Sequence, residues 1–535
     1  MHIKTHIFKG YVFGAIQPSL LLRFPANHGP SSRLCAAMDV VGESLGIDAG
    51  PDQFHPTETG FDKLSGPACI VAMLDMFQQH CGDQRLTPIR VFPVSDSVSF
   101  VYPSLVPDVA RANLTVLAKM LEGARASLSK DSVNAHAMAM KIKARPFLPS
   151  GTNAISFIAA AAKYRIPFKQ LERRYIAFGY GKDTSIFNSS ITDRDSAVGI
   201  GIAGSKFVSH RLLKLSGFPV AEQLPVTSVE NAIASAQSIG YPVVLKPENE
   251  EGGRGVCPNI LSEEELVFTY NRLQPVYPKL LLEKHIRGDG YRVYVLGNEI
   301  VRVRRLQAAH IIGDGLRDVK TLIDAENASP SRHAINASMK PIKVDQELSD
   351  MIAKQGHTLT SVPVADEKVV LAATTNLSRG GSSTDFIDEL HVSNKRACIE
   401  IAKTFGLYCC GIDLISNDAS RPLRENGGVV CEVNAQPQIG SVGRVRMHED
   451  MILTAVRSCP PIDLRVHSRP VGINHSIFNK AANRLRIDID VKTLLTHGCP
   501  VQYFDSLEIV GGVSEEDRMH LEALLESVRP DLSPA

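Results

Sequence analysis

Three groups of residues in this chain have the types and spacing to handle phosphate, metal and carboxylate. Lys246 closes the run Pro242-Val243-Val244-Leu245 and is followed by Glu250-Glu251-Gly252-Gly253-Arg254-Gly255. A lysine beside glycines brings a positive charge and backbone N–H groups that can approach phosphate oxygens, because glycine reaches conformations closed to other residues. An ordinary hairpin loop with a surface lysine has the same pattern, and no GxxxxGK[ST] phosphate loop occurs in the chain. In the second group, Asp413 lies in one strand-like run while Glu432 and Asn434 alternate in another, so the latter two share a face. With Asp413 on a neighbouring strand they form a hard-oxygen set. Mg²⁺ suits so sparse a set better than Ca²⁺ or Zn²⁺, because it takes one or two carboxylates and completes its octahedron with substrate phosphates. Acidic residues on a solvated face would alternate in the same way. The third group is Arg292, Arg302, Arg304 and Arg305. Arg302 should face away from Val301 and Val303, with Arg304 continuing its polar face, and each offers a rigid fork for phosphate or carboxylate. A solvated charge run is the competing reading.

The elements that must position these residues are legible from periodicity. Thr227 with Glu230 reads as a capping box ahead of Ala232, Ile233, Ala236 and Ile239, a helix that Gly240 and Pro242 stop. Val243 to Lys246 then reads as a buried strand. Ser262 with Glu265 opens another helix through Leu273, and Leu280 to Glu283 reads as a strand. Tyr291 to Val295 and Glu299 to Val303 flank Leu296-Gly297-Asn298, which suits a tight hairpin. A helix from Asn394 to Phe405 ends at Gly406, and strands Cys410 to Ile415 and Val429 to Val433 follow. Paired antiparallel strands with helices alongside predict an α+β fold. Earlier, Pro107 to Ala126 has helical spacing and Val91 to Val101 strand-like spacing, giving a small α/β domain over residues 1–150. Residues 456–535 carry a strand-like Val501 to Val510 and a helix Ser514 to Val528, expected as a C-terminal docking or homo-oligomer element.

Composition limits the partners. The 535 residues carry 58 Lys and Arg against 57 Asp and Glu, so the charge footprint of a nucleic-acid binder is missing. No run approaches the roughly 18 apolar residues of a membrane helix, so neither nucleic acid nor membrane is expected as a partner. Ten cysteines, with no CxxC pair or matching histidine cluster, predict free thiols and a cytoplasmic location.

Taken in order, Lys246, the loop Gly252-Gly253-Arg254-Gly255, the hinge Leu282-Glu283-Lys284-His285-Ile286, then Asp413 and Glu432-Val433-Asn434 resemble the motif series of ATP-grasp ligases. Phe178-Gly179-Tyr180-Gly181, Ile202-Ala203-Gly204-Ser205-Lys206, Ala309-His310-Ile311-Ile312-Gly313-Asp314-Gly315 and Asn376-Leu377-Ser378-Arg379-Gly380-Gly381 are similar, more narrowly, to the ATP-grasp part of cyanophycin synthetases. The resemblance spans residues 151–455. It implies that Lys206 and Lys246 touch ATP phosphates, that Gly252, Gly253, Arg254 and Gly255 close over them, and that Glu283 and the Ile286 backbone bracket the adenine. It further implies that Asp413, Glu432 and Asn434 hold Mg²⁺, and that an acyl phosphate formed from ATP is attacked by an amine of an amino-acid or peptide substrate. Arg292 and Arg305 are the expected catalytic residues, Arg292 at the transferred phosphoryl group or the tetrahedral oxyanion. A glutathione-synthetase-like or D-Ala-D-Ala-like ligase, or a nucleotide-binding protein without turnover, are the alternatives. This chain departs from the family at Gly288-Asp289-Gly290-Tyr291-Arg292, at Arg305-Leu306, and at Ala435-Gln436-Pro437-Gln438, so the reaction type transfers better than the substrate. The family's Mur-ligase-like nucleotide loop finds no match, and one ATP site is expected.

Overall fold

The computed structural model describes residues 3–13, 15–25, 32–47, 54–56, 65–94, 97–123, 128–250, 254–329, 332, 340–372, 375, 379–439, 447–456, 460–471, 477 and 482–525. The chain divides into two compact units, Met1–Phe187 with Ile452–Ala535, and Asn188–Met451.

In the first unit a five-stranded sheet runs in the order Lys4–Phe8, Ser19–Pro25, Ser97–Pro103, Ile89–Val94, Phe54–Pro56. Helix Gly66–Cys81 is buried along most of its length against it, capped by the Ser65 side chain and ended by a left-handed Gly82. The C-terminal segment forms three parallel strands, Leu485–Asp490, Ile462–His467 and Ser506–Val510, in that order. It is not an appended extension: Tyr11 and Cys499 exchange backbone hydrogen bonds of 2.8 and 2.9 Å, and the Gly10 amide donates to His497 at 2.7 Å. Gly10 is required there, because a Cβ would stand 2.4 Å from the Cys499 carbonyl oxygen. Phe157, Phe178 and Phe187 pack edge to face at 5.0 to 6.5 Å, which ties residues 151–187 into this unit. Long-range packing of this kind leaves no local signal in composition.

Besides the two-stranded pair His310–Ile312 with Lys368–Val370, the second unit holds two larger antiparallel sheets, whose strands are numbered here. The first has β1 (Gln223–Val226), β2 (Val243–Pro247), β3 (Cys257–Ile260) and β4 (Leu280–Lys284) in the order β1-β4-β2-β3. Helices α2 (Val229–Ile239) and α3 (Glu263–Leu273), which follow α1 (Lys206–Leu215) in the chain, cover it through Ala232, Ala236, Leu266 and Leu273 against Val243, Leu245 and Leu282. Helix α3 starts as expected: Ser262 Oγ accepts from the Glu265 amide at 3.2 Å, and Glu265 accepts in return from the Leu261 amide at 2.8 Å. The cap of α2 lies one residue later than expected, on Ser228, which accepts from the Asn231 amide at 3.1 Å. Serine competes with the preceding threonine for that position, and spacing alone does not separate them.

The second sheet has β5 (Asp289–Leu296), β6 (Glu299–Gln307), β7 (Ser382–Asp385), β8 (Cys409–Ser416) and β9 (Val429–Asn434) in the order β7-β6-β5-β8-β9. Gly297, at a φ of 62°, turns the β5–β6 hairpin as predicted. One face packs Val293, Val295, Val303, Ile412, Leu414 and Val433 on α4 (Val392–Phe405). Each fully buried aliphatic side chain there contributes about 1.5–3 kcal/mol. The period of two therefore hands the alternate residues of these strands to the opposite, polar face.

Candidate active site

The strand register lines up a row of charged residues across the polar face. Asp385 is paired with Arg304, Arg304 with Arg292, Arg292 with Asp413, and Asp413 with Glu432. The next row on the same face runs Arg302, Tyr294, Gly411, Asn434. Cross-strand partners have Cβ atoms about 4.5–5.5 Å apart, so each row brings its side chains into one neighbourhood.

Within the first row, Arg292 donates to both carboxylate oxygens of Asp413, with Nη2 2.7 Å from Oδ2. Burial opposes the guanidinium's charge, but Asp413, aided by Tyr294 and Glu432, outweighs it and raises the Arg292 pKa. Asn434 Nδ2 lies 3.3 Å from Asp413 Oδ2. Gly411 leaves room for this group, since an added Cβ would meet Arg292 Cδ at 3.3 Å and Pro437 Cβ at 3.2 Å.

Two lysines arrive from other elements. Lys206, the first residue of α1 after its Ser205 cap, places Nζ 3.2 Å from Glu432 Oε1 and donates to the Glu250 carbonyl at 2.6 Å. Lys246 on β2 is ion-paired with Glu283 on β4, both side chains being about nine-tenths buried. Burial pulls the Lys246 ammonium down, but Glu283, Cys431 and Glu432 more than offset it, so its pKa is raised and the charge is held. Glu283 also accepts from Gln223 Nε2 at 3.2 Å. Ile286 lies in the link between β4 and β5, where neither its amide nor its carbonyl is engaged among the described residues. Gly255 has a φ of 70°, and Arg254 Nε lies 3.2 Å from Glu250; Gly252 and Gly253 lie outside the described residues.

Arg305 does not join this constellation. Its partner across the hairpin is Tyr291, which faces the α4 core, and its side chain is ion-paired with Asp289, Nε to Oδ2 2.6 Å. One residue of register puts Arg304 beside Arg292 and sends Arg305 to the other face. Arg302 is buried and donates to the Ile439 carbonyl at 2.8 Å, while its guanidinium lies 5.7 Å from the Tyr294 ring centre. Tyr294 in turn donates to the Gln438 carbonyl at 3.1 Å, so this pair holds the segment after β9. Tyr294 went unremarked in the sequence although it stands two residues from Arg292, the spacing that defines a shared strand face. Burial chiefly pushes the Cys431 thiol, between Val430 and Glu432, up to about 12.

The resemblance implies a divalent ion, and the donors fit one. Asp413 and Glu432 oppose each other in register, and Asn434, which turns its Nδ2 to Asp413, stands on the same face. No group of three or more His, Cys, Asp or Glu residues able to hold a metal occurs among the described residues, so phosphate oxygens would have to complete an octahedron here.

Residues 206–288 match the family model of the carbamoyl-phosphate synthase L chain, ATP binding domain. This match supports the resemblance to ATP-grasp ligases read from the motifs. The chain is 33% identical over 290 residues to cyanophycin synthetase from Nostoc sp., covering 54% of this chain and 32% of that protein. It is likewise 33% identical over 266 residues to the glutathione biosynthesis bifunctional protein GshAB of Mannheimia succiniciproducens, covering 47% of this chain and 34% of that one. The chain thus spans about a third of the length of these relatives. Among solved structures, the bifunctional glutathione synthetase from Pasteurella multocida aligns with a TM-score of 0.44 and 23% identity over 73% of this chain and 54% of that one. Among the described residues no helix is long and apolar enough to cross a membrane, and the nine described cysteines are free.

Proposed function

We propose that this protein is an ATP-dependent carboxylate–amine ligase that forms an amide or peptide bond through an acyl phosphate. The observation that carries this reading is the convergence on Glu432: Lys206 reaches it from α1, Asp413 opposes it, and Arg292 grips Asp413. Phosphoryl transfer needs charge neutralisation and alignment more than a general base, and this arrangement supplies both.

Lys206 and Lys246 would hold the ATP phosphates, with Arg254 and Gly255, and Gly252 and Gly253 beside them, as the covering loop. The free amide and carbonyl of Ile286 would take the adenine edge, and Glu283 would keep Lys246 charged and aimed. Asp413, Glu432 and Asn434 would bind Mg²⁺, which when present polarises phosphate oxygens and offsets their charge. Arg292 would stabilise the transferred phosphoryl group and then the oxyanion formed when the amine attacks. The substrates are proposed to be amino acids or peptides, in a cytoplasmic setting.

The test is ADP release by the purified protein with ATP, Mg²⁺ and a panel of amino acids and dipeptides, with mass spectrometry of the product. Formation of an amide product only when both a carboxylate and an amine are supplied is expected. Nucleotide binding without substrate-dependent turnover across the panel would favour a non-catalytic nucleotide-binding role.

A further inference from the structure

Two cysteines that stand 34 residues apart in the sequence meet in the first unit. Cys35 lies on helix Ser32–Leu45 and Cys69 on helix Gly66–Cys81, with their Sγ atoms 3.5 Å apart. The same helices meet again further along, where a Cβ added at Gly42 would stand 3.6 Å from Met76 Cε. Ala37 and Val41 of the first helix and Met73, Met76 and Phe77 of the second belong to one buried cluster, so the sulfurs face each other across a packed seam. Both thiols are free.

The two differ in access. Cys35 is partly exposed, whereas Cys69 is only 1% exposed. An oxidant in solution therefore reaches Cys35 first, and Cys69 reacts through Cys35. A disulfide holds its sulfurs roughly 2 Å apart, so about 1.5 Å of approach completes the bond, a displacement within reach of small rotations of the two side chains. The spacing in the sequence carries no sign of this, because the legible dithiol motifs are local ones such as CxxC.

We infer that Cys35 and Cys69 form an oxidation site whose co-reactant is a peroxide, with Cys35 the sulfur oxidised first and Cys69 the sulfur that closes the disulfide. The Cys35 sulfur attacks one peroxide oxygen, the O–O bond breaks, and the other oxygen leaves as water with the thiol proton, giving a sulfenic acid. The Cys69 sulfur then attacks the Cys35 sulfur, the S–O bond breaks, and a second water carries away the Cys69 proton. Two thiols are oxidised to one disulfide while one peroxide is reduced to two waters. The product staples helix Ser32–Leu45 to helix Gly66–Cys81 and closes the chain between residues 35 and 69, which restricts the unfolded state. Neither sulfur belongs to the second unit, so this chemistry does not depend on the ligase reading.

The test treats the purified chain with a small excess of hydrogen peroxide, blocks the remaining thiols in denaturant and maps the cysteines by mass spectrometry. A peptide pair joined between Cys35 and Cys69 is expected, and dithiothreitol should separate it. Fragmentation distinguishes Cys69 from Cys81, which shares its tryptic peptide. The oxidised protein should unfold at a midpoint roughly 5 °C or more above the reduced one. In Cys69→Ala the sulfenic acid has no resolving partner, so capture of Cys35 by dimedone should rise about fivefold or more over wild type. In Cys35→Ala, Cys69 should stay reduced at the same dose, and melts of both untreated variants show that they are folded. Persistence of both thiols in wild type at a dose that consumes added free cysteine, a link through Cys81 in place of Cys69, or undiminished oxidation of Cys69 in Cys35→Ala overturns the assignment. A linked protein whose midpoint has not moved would overturn the staple.

Discussion

Arg292 and Asp413 stand directly opposite each other on adjacent antiparallel strands, and the guanidinium donates through both Nε and Nη2 to the two carboxylate oxygens. The pair sets the position of the arginine before any substrate arrives, so its fork geometry matters as much as its charge. Arg292→Lys keeps the charge and loses the fork. Under the proposed reaction, kcat should fall by on the order of 10²-fold with nucleotide affinity changed only a few-fold. Stopped-flow ADP release and a nucleotide titration check this, and an unaltered kcat would remove Arg292 from the reaction.

Glu432→Gln removes the charge on which Lys206 and the proposed metal converge, with almost no change in volume. Turnover is expected to drop at least on the order of 10²-fold, and the Mg²⁺ concentration for half-maximal rate should rise. Circular dichroism should be unchanged. A folded variant with wild-type Mg²⁺ dependence would move the metal site elsewhere.

Gly255 has a φ of 70°, and a Cβ at this position would lie 2.8 Å from both Pro247 and Tyr277. Gly255→Val should therefore cost about 1–3 kcal/mol of stability. If the loop covers phosphate, nucleotide affinity should weaken as well. Gly201→Ala is the control, because nothing lies within 4 Å of an added Cβ there. Thermal melts with and without nucleotide distinguish the two effects, and a Gly255→Val protein as stable as Gly201→Ala would contradict the geometry.

The first unit should show its own pH dependence. Asp83 is fully buried, and desolvation pushes its carboxyl up from 3.8 to about 6, against hydrogen bonds from Ser104, the Leu105 amide and Gln78 and with a small push from Asp75. Between these values the folded state keeps a proton that the unfolded chain has lost. The stabilisation is therefore complete below about pH 4, falls as pH rises and is gone above about pH 6, a span worth roughly 3 kcal/mol. The wild-type minus Asp83→Asn difference in urea unfolding free energy should therefore fall by about that amount as pH rises across the window. A parallel pair of stability curves from pH 4 to 7 would rule the assignment out.

Six of the nine numbered strands of the second unit, β2, β4, β5, β6, β8 and β9, are legible in the sequence because their signals are local. Ser262 with Glu265, the Gly297 turn and the left-handed Gly406 that ends α4 are each decided within a few residues. Glu432 and Asn434 could be put on one face because a strand has a period of two. What lay out of reach depends on pairing between distant segments. The face taken by Arg305 is fixed by its register opposite Tyr291, and the place of residues 456–535 by the Tyr11–Cys499 bridge. The match of Arg304 with Arg292 is of the same kind: two arginines twelve positions apart say nothing of each other until the hairpin register is set.

That bridge has a consequence for biosynthesis. The chain leaves the ribosome N-terminus first, and domains generally fold as units during synthesis. Residues Asn188–Met451 can complete their two larger sheets as soon as they emerge, since every strand these need lies within that segment. The flanking unit cannot. Gly10, Tyr11 and Val12 wait for His497, Cys499 and Val501, which are translated much later, to supply their partners. During that interval the apolar strand Ser19–Pro25 and its neighbours lack part of their cover, the kind of transiently exposed surface on which aggregation starts.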